Sequence, residues 1–114
     1  MTRVRAQEYL FIAGMLSTDK TGGIIGKGEF DTQAAQTFAN VRVALESAGA
    51  TWKNVVQFTT YLVDAKLIEA FMAYRRREFP RMFAGAPYPP NTLLIIDRLV
   101  REEFLIEVQT IAAI

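Results

Sequence analysis

The chain has 114 residues, a length typical of one domain, and its 13 basic and 12 acidic side chains give a net charge of +1. A charge so close to zero argues against electrostatic binding to nucleic acid or to an anionic membrane surface. The sequence contains no cysteine and no histidine, which excludes disulfides, thiolate or imidazole metal sites and nucleophiles activated by histidine. Acid–base chemistry must therefore use Asp, Glu, Lys, Tyr, backbone groups or water.

Hydrophobic residues make up 51% of the sequence, which favours a folded core over disorder. The longest apolar runs are only a few residues, too short to span a membrane. The N-terminal segment lacks the apolar core and cleavage pattern of a signal peptide. We therefore expect a single cytoplasmic domain over residues 1–114.

The first third of the chain predicts short strands separated by turns. Val4–Ala6 is compatible with a strand, and Gln7-Glu8 with a turn that leads into a second strand, Tyr9–Ala13. A short edge strand is predicted at Ile24-Ile25, between glycines that favour loops.

Two helices flank one strand in the middle of the chain. Asp31 is predicted to cap the first helix, because its carboxylate can accept hydrogen bonds from free N–H groups, and Gly49 to end it. The alternation of residues 54–63 predicts a strand, and residues 66–79 predict a second helix that Pro80 ends.

The last third predicts a proline-rich loop followed by two strands. The run Arg75–Arg77 is expected on a solvated flank of the second helix, and residues 80–90 form a loop with all four prolines. Strands are expected at 92–98 and 104–112, with a charged turn at 101–103. Strands and helices mix without strict alternation, which indicates the α+β class.

Both faces of these late strands are largely apolar. Leu93 and Ile95 lie opposite Leu94 and Ile96, whereas a solvated sheet face normally carries polar residues. Two helices can cover only one face of the sheet. We therefore expect the second face to be buried in a homo-oligomer.

Glu107 is the charged residue that stands out, because it lies in the middle of the last predicted strand between Ile106 and Val108. A buried carboxylate needs a partner or a raised pKa. Two interpretations stay open at this point: a structural ion pair with Arg or Lys, or a group in an interfacial pocket that orders water or moves a proton. Tyr88 has a similar choice between packing on its loop and pointing its hydroxyl into a pocket.

Several short motifs occur in a fixed order along the chain. They are Phe11-Ile12-Ala13-Gly14, Gln33-x-x-Gln36-x-x-x-Asn40, Leu45-Glu46-x-Ala48-Gly49, Val55-Val56, Leu62-x-Asp64 and Ile106-Glu107-Val108-x-x-Ile111-Ala112. In order and spacing they resemble the YjgF/Rid family of reactive-intermediate deaminases, over nearly the whole chain.

The resemblance implies a chorismate-mutase-like subunit, with a single sheet and two helices on one face. It also implies a homotrimer whose sheets form a central barrel, with small-molecule metabolite pockets between the subunits. Archetypal members hydrolyse enamines and imines such as 2-aminoacrylate to ketoacids and ammonia, with no cofactor and no metal. In them an arginine binds the substrate carboxylate and a glutamate holds a water.

The family's functional positions are only partly retained in this sequence. By the resemblance its glutamate falls on Glu107 and the glycine of its Ser-Gly step on Gly14, whereas its carboxylate-binding arginine is replaced by Asn91. The serine position is Ala13, and the pocket asparagine of the second helix is Met72. The expected site comprises catalytic Glu107, the ligand-binding residues Gly14, Asn91, Thr92, Ala13 and Met72, and no metal.

Loss of the arginine removes a charge-assisted bidentate contact and casts doubt on deamination of 2-aminoacrylate. Two function classes follow: a hydrolase of altered specificity that uses Glu107, or a non-catalytic module that binds a small ligand and serves regulation. Arg81, in the elongated loop, could reach the pocket from a new direction. Ribonuclease activity has been attached to this family, but the balanced charge and the lack of an aromatic and basic platform speak against it here.

Overall fold

The structure, a computed structural model, describes all residues from 1 to 114 and contains one four-stranded sheet. Along the chain the elements are β1 (Tyr9–Met15), α1 (Phe30–Ser47), β2 (Val55–Leu62), α2 (Ile68–Phe83), β3 (Asn91–Ile95) and β4 (Ile106–Ala113). The strand order across the sheet is β1-β4-β2-β3, with β3 parallel to β2 and β4 antiparallel to both its neighbours. The expected α+β class is confirmed.

The two faces of the sheet differ in burial. Residues that point toward the helices are almost fully buried; on β2 and β4 they are Phe58, Thr60, Leu62, Ile106, Val108, Thr110 and Ala112. The opposite face, here called the open face, carries Phe11, Thr59, Tyr61, Thr92, Leu94, Glu107, Gln109 and Ile111. Phe11 is 77% exposed and Leu94 43% exposed in the single chain, so the open face has a substantial apolar part without cover.

An aromatic cluster joins both helices to β2. The ring centroid of Phe58 lies 5.8 Å from that of Phe38 in α1, and 6.1 Å and 6.2 Å from those of Phe79 and Phe83 in α2. Burial of each such ring contributes about 1.5–3 kcal/mol to folding. The cluster therefore fixes where α2 lies on the sheet.

Helix α1 begins at Phe30 rather than after Asp31, so the predicted cap is wrong. Phe30 is buried in the core, and the helix begins two residues earlier than predicted, so that this ring lies on its first turn. Glu29 takes the cap position without a side-chain hydrogen bond to the helix backbone, its carboxylate accepting instead from the Thr32 hydroxyl, and Asp31 lies in the first turn, where its charge suits the helix dipole. Gly49 ends the helix as predicted, with φ of 77°.

No helix of the chain is both long and apolar enough to cross a membrane.

Helix α2 continues through Pro80 to Phe83, so the predicted stop at Pro80 is wrong. Proline removes one helical hydrogen bond but leaves the following turn free to form. The buried ring of Phe83 packs on Phe79 at 5.3 Å and holds this extra turn on the core. Ala84, in left-handed conformation, then ends the helix by donating its N–H to the Pro80 carbonyl.

The predicted strands at Val4–Ala6 and Ile24-Ile25 do not form. The backbone of Gln7 and Glu8 pairs with Ile114 beyond the end of β4, so this segment leads directly into β1 instead of turning back. Ile24 forms only an isolated bridge with Thr18. Strand β3 covers 91–95 rather than 92–98, because its partner β2 ends at residue 62.

Candidate functional site

The Glu107 carboxylate lies beside Gly14, at a β-bulge in β1. Two residues of β1, Ala13 and Gly14, lie opposite the single residue Gln109 of β4. A Cβ at residue 14 would overlap the Glu107 carboxylate and would lie 2.8 Å from its Cγ. The missing side chain at Gly14 thus makes the space that the carboxylate occupies. Bulges of this kind bend a strand and re-aim side chains next to active sites.

Glu107 has no charged partner within its own chain, since none of the ion pairs includes it. Burial raises the pKa of this carboxyl above its usual range. Its cross-strand neighbour is Tyr61, whose hydroxyl donates to the side-chain oxygen of Gln109 at 3.4 Å rather than to Glu107. The structural ion pair is therefore not formed within the chain, and the carboxylate is available to water, a ligand or another copy.

Two side-chain amides to which the sequence pattern assigned no role, the buried Gln33 and the half-buried Asn40, hold the segments around this carboxylate. Gln33 of α1 is fully buried; its Oε1 accepts from the Leu105 N–H at 2.9 Å and its Nε2 donates to the Glu103 carbonyl at 2.8 Å. Asn40 of α1 donates to the Leu16 carbonyl at 2.8 Å, directly after β1. Both residues belong to the motif Gln33-x-x-Gln36-x-x-x-Asn40, and the spacing of this motif is the sequence signal that could have identified them.

Thr92 lies on the open face with Glu107 but farther along the sheet. It pairs with Thr59 of β2, and Thr59 pairs with Gln109 of β4. Two strand spacings separate β3 from β4, so Thr92 lies about 10 Å or more from the Glu107 strand. Ala13, by contrast, is in the bulge itself and is exposed.

Asn91 and Met72 lie on the other side of the sheet. Asn91 pairs in register with the buried Phe58, and its Oδ1 accepts a hydrogen bond from the buried Thr60 hydroxyl at 2.7 Å. Met72 packs against the core from α2. Within one chain the structure therefore brings Glu107, Gly14 and Ala13 together, and keeps Asn91 and Met72 apart from them.

The remaining candidates near α2 have defined contacts. Tyr88 packs its ring on Phe79 and Phe83, with centroids 5.4 Å and 5.7 Å away, which is the packing interpretation. Arg81 is exposed and donates to the Glu78 carboxylate at 2.6 Å. Arg75 departs from the predicted solvated flank: it is half-buried, with its guanidinium carbon 5.0 Å from the Phe79 centroid.

The cavities of the single chain lie away from the Glu107 carboxylate, although two of them are lined by Tyr88. One of about 200 Å³ lies between the helices next to Phe38 and Tyr74, and one of about 440 Å³ lies beside Met15 and Asn40. None is lined by Glu107. No three acidic side chains of the chain are grouped so that they could hold a metal ion.

Comparison with known proteins shows the family to which the chain belongs. The model of the family described as endoribonuclease L-PSP matches residues 2–114. The chain belongs to the YjgF/Rid family. A RutC family protein from Pyrococcus horikoshii is 32% identical over 113 residues, which cover 96% of this chain and 82% of that protein.

Solved structures of Rid proteins have the same fold. The Rid protein YyfB from Yersinia pestis has a TM-score of 0.85 and 28% identity, and the match covers 96% of this chain and 80% of that one. RidA from a Psychrobacter species has a TM-score of 0.79 and 26% identity, with 97% and 85% covered. Glu107 and Gly14 therefore meet on a Rid scaffold.

Proposed function

We propose that this Rid-family chain is a cytoplasmic small-metabolite hydrolase of altered specificity, with its pocket between two copies of the chain. The observation that carries the proposal is the half-buried Glu107 carboxylate, which has no charged partner and lies beside Gly14 at the bulge. A carboxylate in such surroundings is suited to act as a general base.

The reaction that fits this group is hydrolysis of an imine. Glu107 accepts a proton from a water as the oxygen of that water bonds to the imine carbon, and Glu107 then passes this proton to the nitrogen to give a carbinolamine. The carbon–nitrogen bond then breaks, the carbonyl forms and ammonia leaves with the remaining proton. One imine and one water are thus converted to one carbonyl compound and one ammonia.

An interfacial pocket is supported by the separation of the candidate residues on two sides of the sheet. Glu107 is on the open face, and Asn91 and Met72 are on the helix side. A ligand can touch both sets when the β3 edge of one copy meets the open face of another. The exposed Phe11 and Leu94 supply apolar surface for that contact.

The proposed assembly is a homotrimer, and light scattering with size exclusion tests it. We expect a mass near three times the 12.8 kDa of the chain at micromolar concentration. A monomer that remains folded and dispersed would contradict both the trimer and the interfacial pocket.

Altered specificity is supported by the residues at the family's ligand positions. Ala13 lacks a hydroxyl, Met72 lacks an amide, and Asn91 lacks the cationic fork that binds a carboxylate bidentately. A substrate whose carboxylate depends on an arginine at residue 91 is therefore bound poorly.

A second candidate is a non-catalytic ligand-binding trimer, and the hydrogen bond between Thr60 and Asn91 favours it. The Asn91 oxygen is already used by a buried hydroxyl at 2.7 Å, so this side chain has less capacity for a ligand. In that case Glu107 would only hold a ligand in place.

An assay of imine hydrolysis separates the two candidates. Amino-acid imines, among them 2-iminopropionate, are generated in place, and ammonia release is compared for the natural chain, Asn91→Arg, Glu107→Gln and Asn91→Arg/Glu107→Gln. We expect little release from 2-iminopropionate with the natural chain, a gain with Asn91→Arg, and loss of that gain in the double variant.

Efficient turnover of 2-iminopropionate by the natural chain would contradict the argument from residue 91. No turnover of any imine by the natural chain or Asn91→Arg, together with ligand-induced thermal stabilisation, would establish the binding module instead. The Glu107→Gln variant is the matched control, because it keeps the shape of the side chain and removes only its charge.

A further inference from the structure

Arg75 is a half-buried cation that has no acidic partner in the chain. Its Nε is buried without a hydrogen-bond partner, and none of the ion pairs includes this residue. Its neighbours are aromatic: the guanidinium carbon lies 5.0 Å from the ring centroid of Phe79 and 5.9 Å from that of Phe71. A guanidinium removed from water normally has an anionic partner, and here none is present.

The other arginines near α2 are different. Arg77 pairs with Asp31 and Glu78, and Arg81 pairs with Glu78. Arg76 has no ion pair, but it is exposed to solvent. Arg75 alone in this group combines burial with a free guanidinium.

The position of Arg75 brings it to the edge of the sheet where β3 begins. Phe71, Arg75 and Phe79 follow one another at four-residue spacing on α2 and so share one face. Phe79 contacts Phe58, the register partner of Asn91. Phe79 also contacts Tyr88, three residues before β3.

Tyr88 links the guanidinium to this edge. The Tyr88 ring centroid lies 5.4 Å from that of Phe79, and the Arg75 guanidinium carbon lies 5.0 Å from the same centroid, so both side chains pack on one ring. Met72 lies three residues before Arg75 and packs against the same core. Arg75 and Tyr88 are thus grouped around the ring of Phe79, which also contacts Phe58, the register partner of Asn91.

We propose that Arg75 binds the carboxylate of a small acidic ligand at the β3 edge of the pocket. A guanidinium flanked by flat rings presents its N–H edge, and that edge matches a planar carboxylate. The positive charge then comes from α2 rather than from residue 91, so the acid group lies in a different place from one held by an arginine on β3. The location of this pocket rests on the proposed function.

The test compares acids with their uncharged amides. Straight-chain monocarboxylates from acetate to hexanoate and the matching primary amides are titrated into the intact protein, and binding is followed by NMR shifts and calorimetry. The variants are Arg75→Met, which keeps the apolar stem, Arg75→Lys, which keeps the charge, and Arg76→Met, the control on the neighbouring exposed arginine.

We expect the natural chain to prefer an acid over its amide by about tenfold or more, and Arg75→Met to lose that preference. Arg75→Lys should keep part of it, and Arg76→Met all of it. Thermal unfolding of each variant shows that it is folded. Equal binding of acid and amide, or equal loss in Arg75→Met and Arg76→Met, would overturn the inference.

A structural pair between Arg75 and Glu107 of another copy is the competing role. It predicts that Arg75→Met raises the pKa of Glu107 further and weakens the assembly, whereas Arg76→Met does neither. NMR titration of the Glu107 carboxyl carbon measures this, and such a result would overturn ligand binding by Arg75.

The outcomes also distinguish this inference from the proposed function. Acid binding without imine hydrolysis would support the role of Arg75 and contradict the proposed hydrolase. Glu107-dependent hydrolysis without acid binding would support the hydrolase and contradict the role of Arg75.

Discussion

The side chain of Glu107 packs against the backbone of Gly14 at the bulge of β1, in the space that a side chain at residue 14 would occupy. A Cβ on residue 14 would overlap the carboxylate, and the φ of Gly14 is not in the left-handed region. Glycine is required there for the close approach of the carboxylate and not for backbone conformation. The candidate site therefore depends on a pair of residues far apart in sequence.

Gly14→Ala should destabilise the protein by about 1–3 kcal/mol, because the methyl group forces the Glu107 side chain out of its position. Urea unfolding measures the loss. The same substitution should abolish Glu107-dependent activity or ligand binding.

The matched control is Gly14→Ala made together with Glu107→Ala. Since the short side chain leaves room for the new methyl group, Gly14→Ala should have little effect in this background, and the double-mutant cycle should give a clear coupling energy. Equal destabilisation in both backgrounds would show that the backbone, and not the carboxylate, excludes a side chain at residue 14.

Glu107→Gln should change how stability depends on pH. The folded-state pKa of Glu107 is raised above its usual 4.5, so between these two values the folded protein holds more protons than the unfolded chain. Stability therefore falls as pH rises through this window. Glu107→Gln should remove that fall and gain a few tenths of a kcal/mol at pH 7, a small gain because the carboxylate is partly exposed.

Thermal unfolding from pH 4 to pH 8 measures this effect, with the exposed Glu103→Gln as control. A Glu107→Gln variant that is less stable at pH 7 would mean that the carboxylate has a cationic partner in the assembled protein. If Glu107 acts as a general base, activity should also fall at a higher pH on acidification than for an ordinary glutamate.

Gln33→Leu should cost about 2–4 kcal/mol, because it leaves the Leu105 N–H and the Glu103 carbonyl without their partners. These two groups lie just before Glu107, so the loss should also raise the hydrogen-exchange rate of the Leu105 amide. The control is Gln36→Leu, since Gln36 is only half-buried and donates one side-chain hydrogen bond, to Asn40. Similar losses in both variants would contradict a specific role for Gln33.

Part of this site could be predicted from the sequence because the motifs keep their order. The resemblance to the Rid family that their order and spacing carry implies Gly14 and Glu107 as site residues, and the two are in contact in the folded chain. The apolar pattern of the late strands predicts that one sheet face lacks cover, and Phe11 and Leu94 are exposed there.

Other features depend on tertiary packing that local patterns do not encode. Pro80 reads as a helix stop, but the Phe83 ring on the core extends α2 past it. A run of three arginines reads as a solvated flank, but Arg75 turns toward Phe71 and Phe79. The pairing of β3 with β2 sets the face of the sheet on which Asn91 lies. The prolines directly before Asn91 interrupt the alternation of apolar and polar residues from which that face could be predicted.

Asn91→Ala should destabilise the protein by about 1–3 kcal/mol, because the buried Thr60 hydroxyl loses the oxygen to which it donates. Asn91→Asp keeps an acceptor and should lose much less. Adding Thr60→Val to Asn91→Ala removes the unpaired hydroxyl and should recover part of the loss, which urea unfolding measures as a coupling energy. If the two single losses simply add, the hydrogen bond contributes nothing to stability, and the Asn91 side chain is free to bind a ligand.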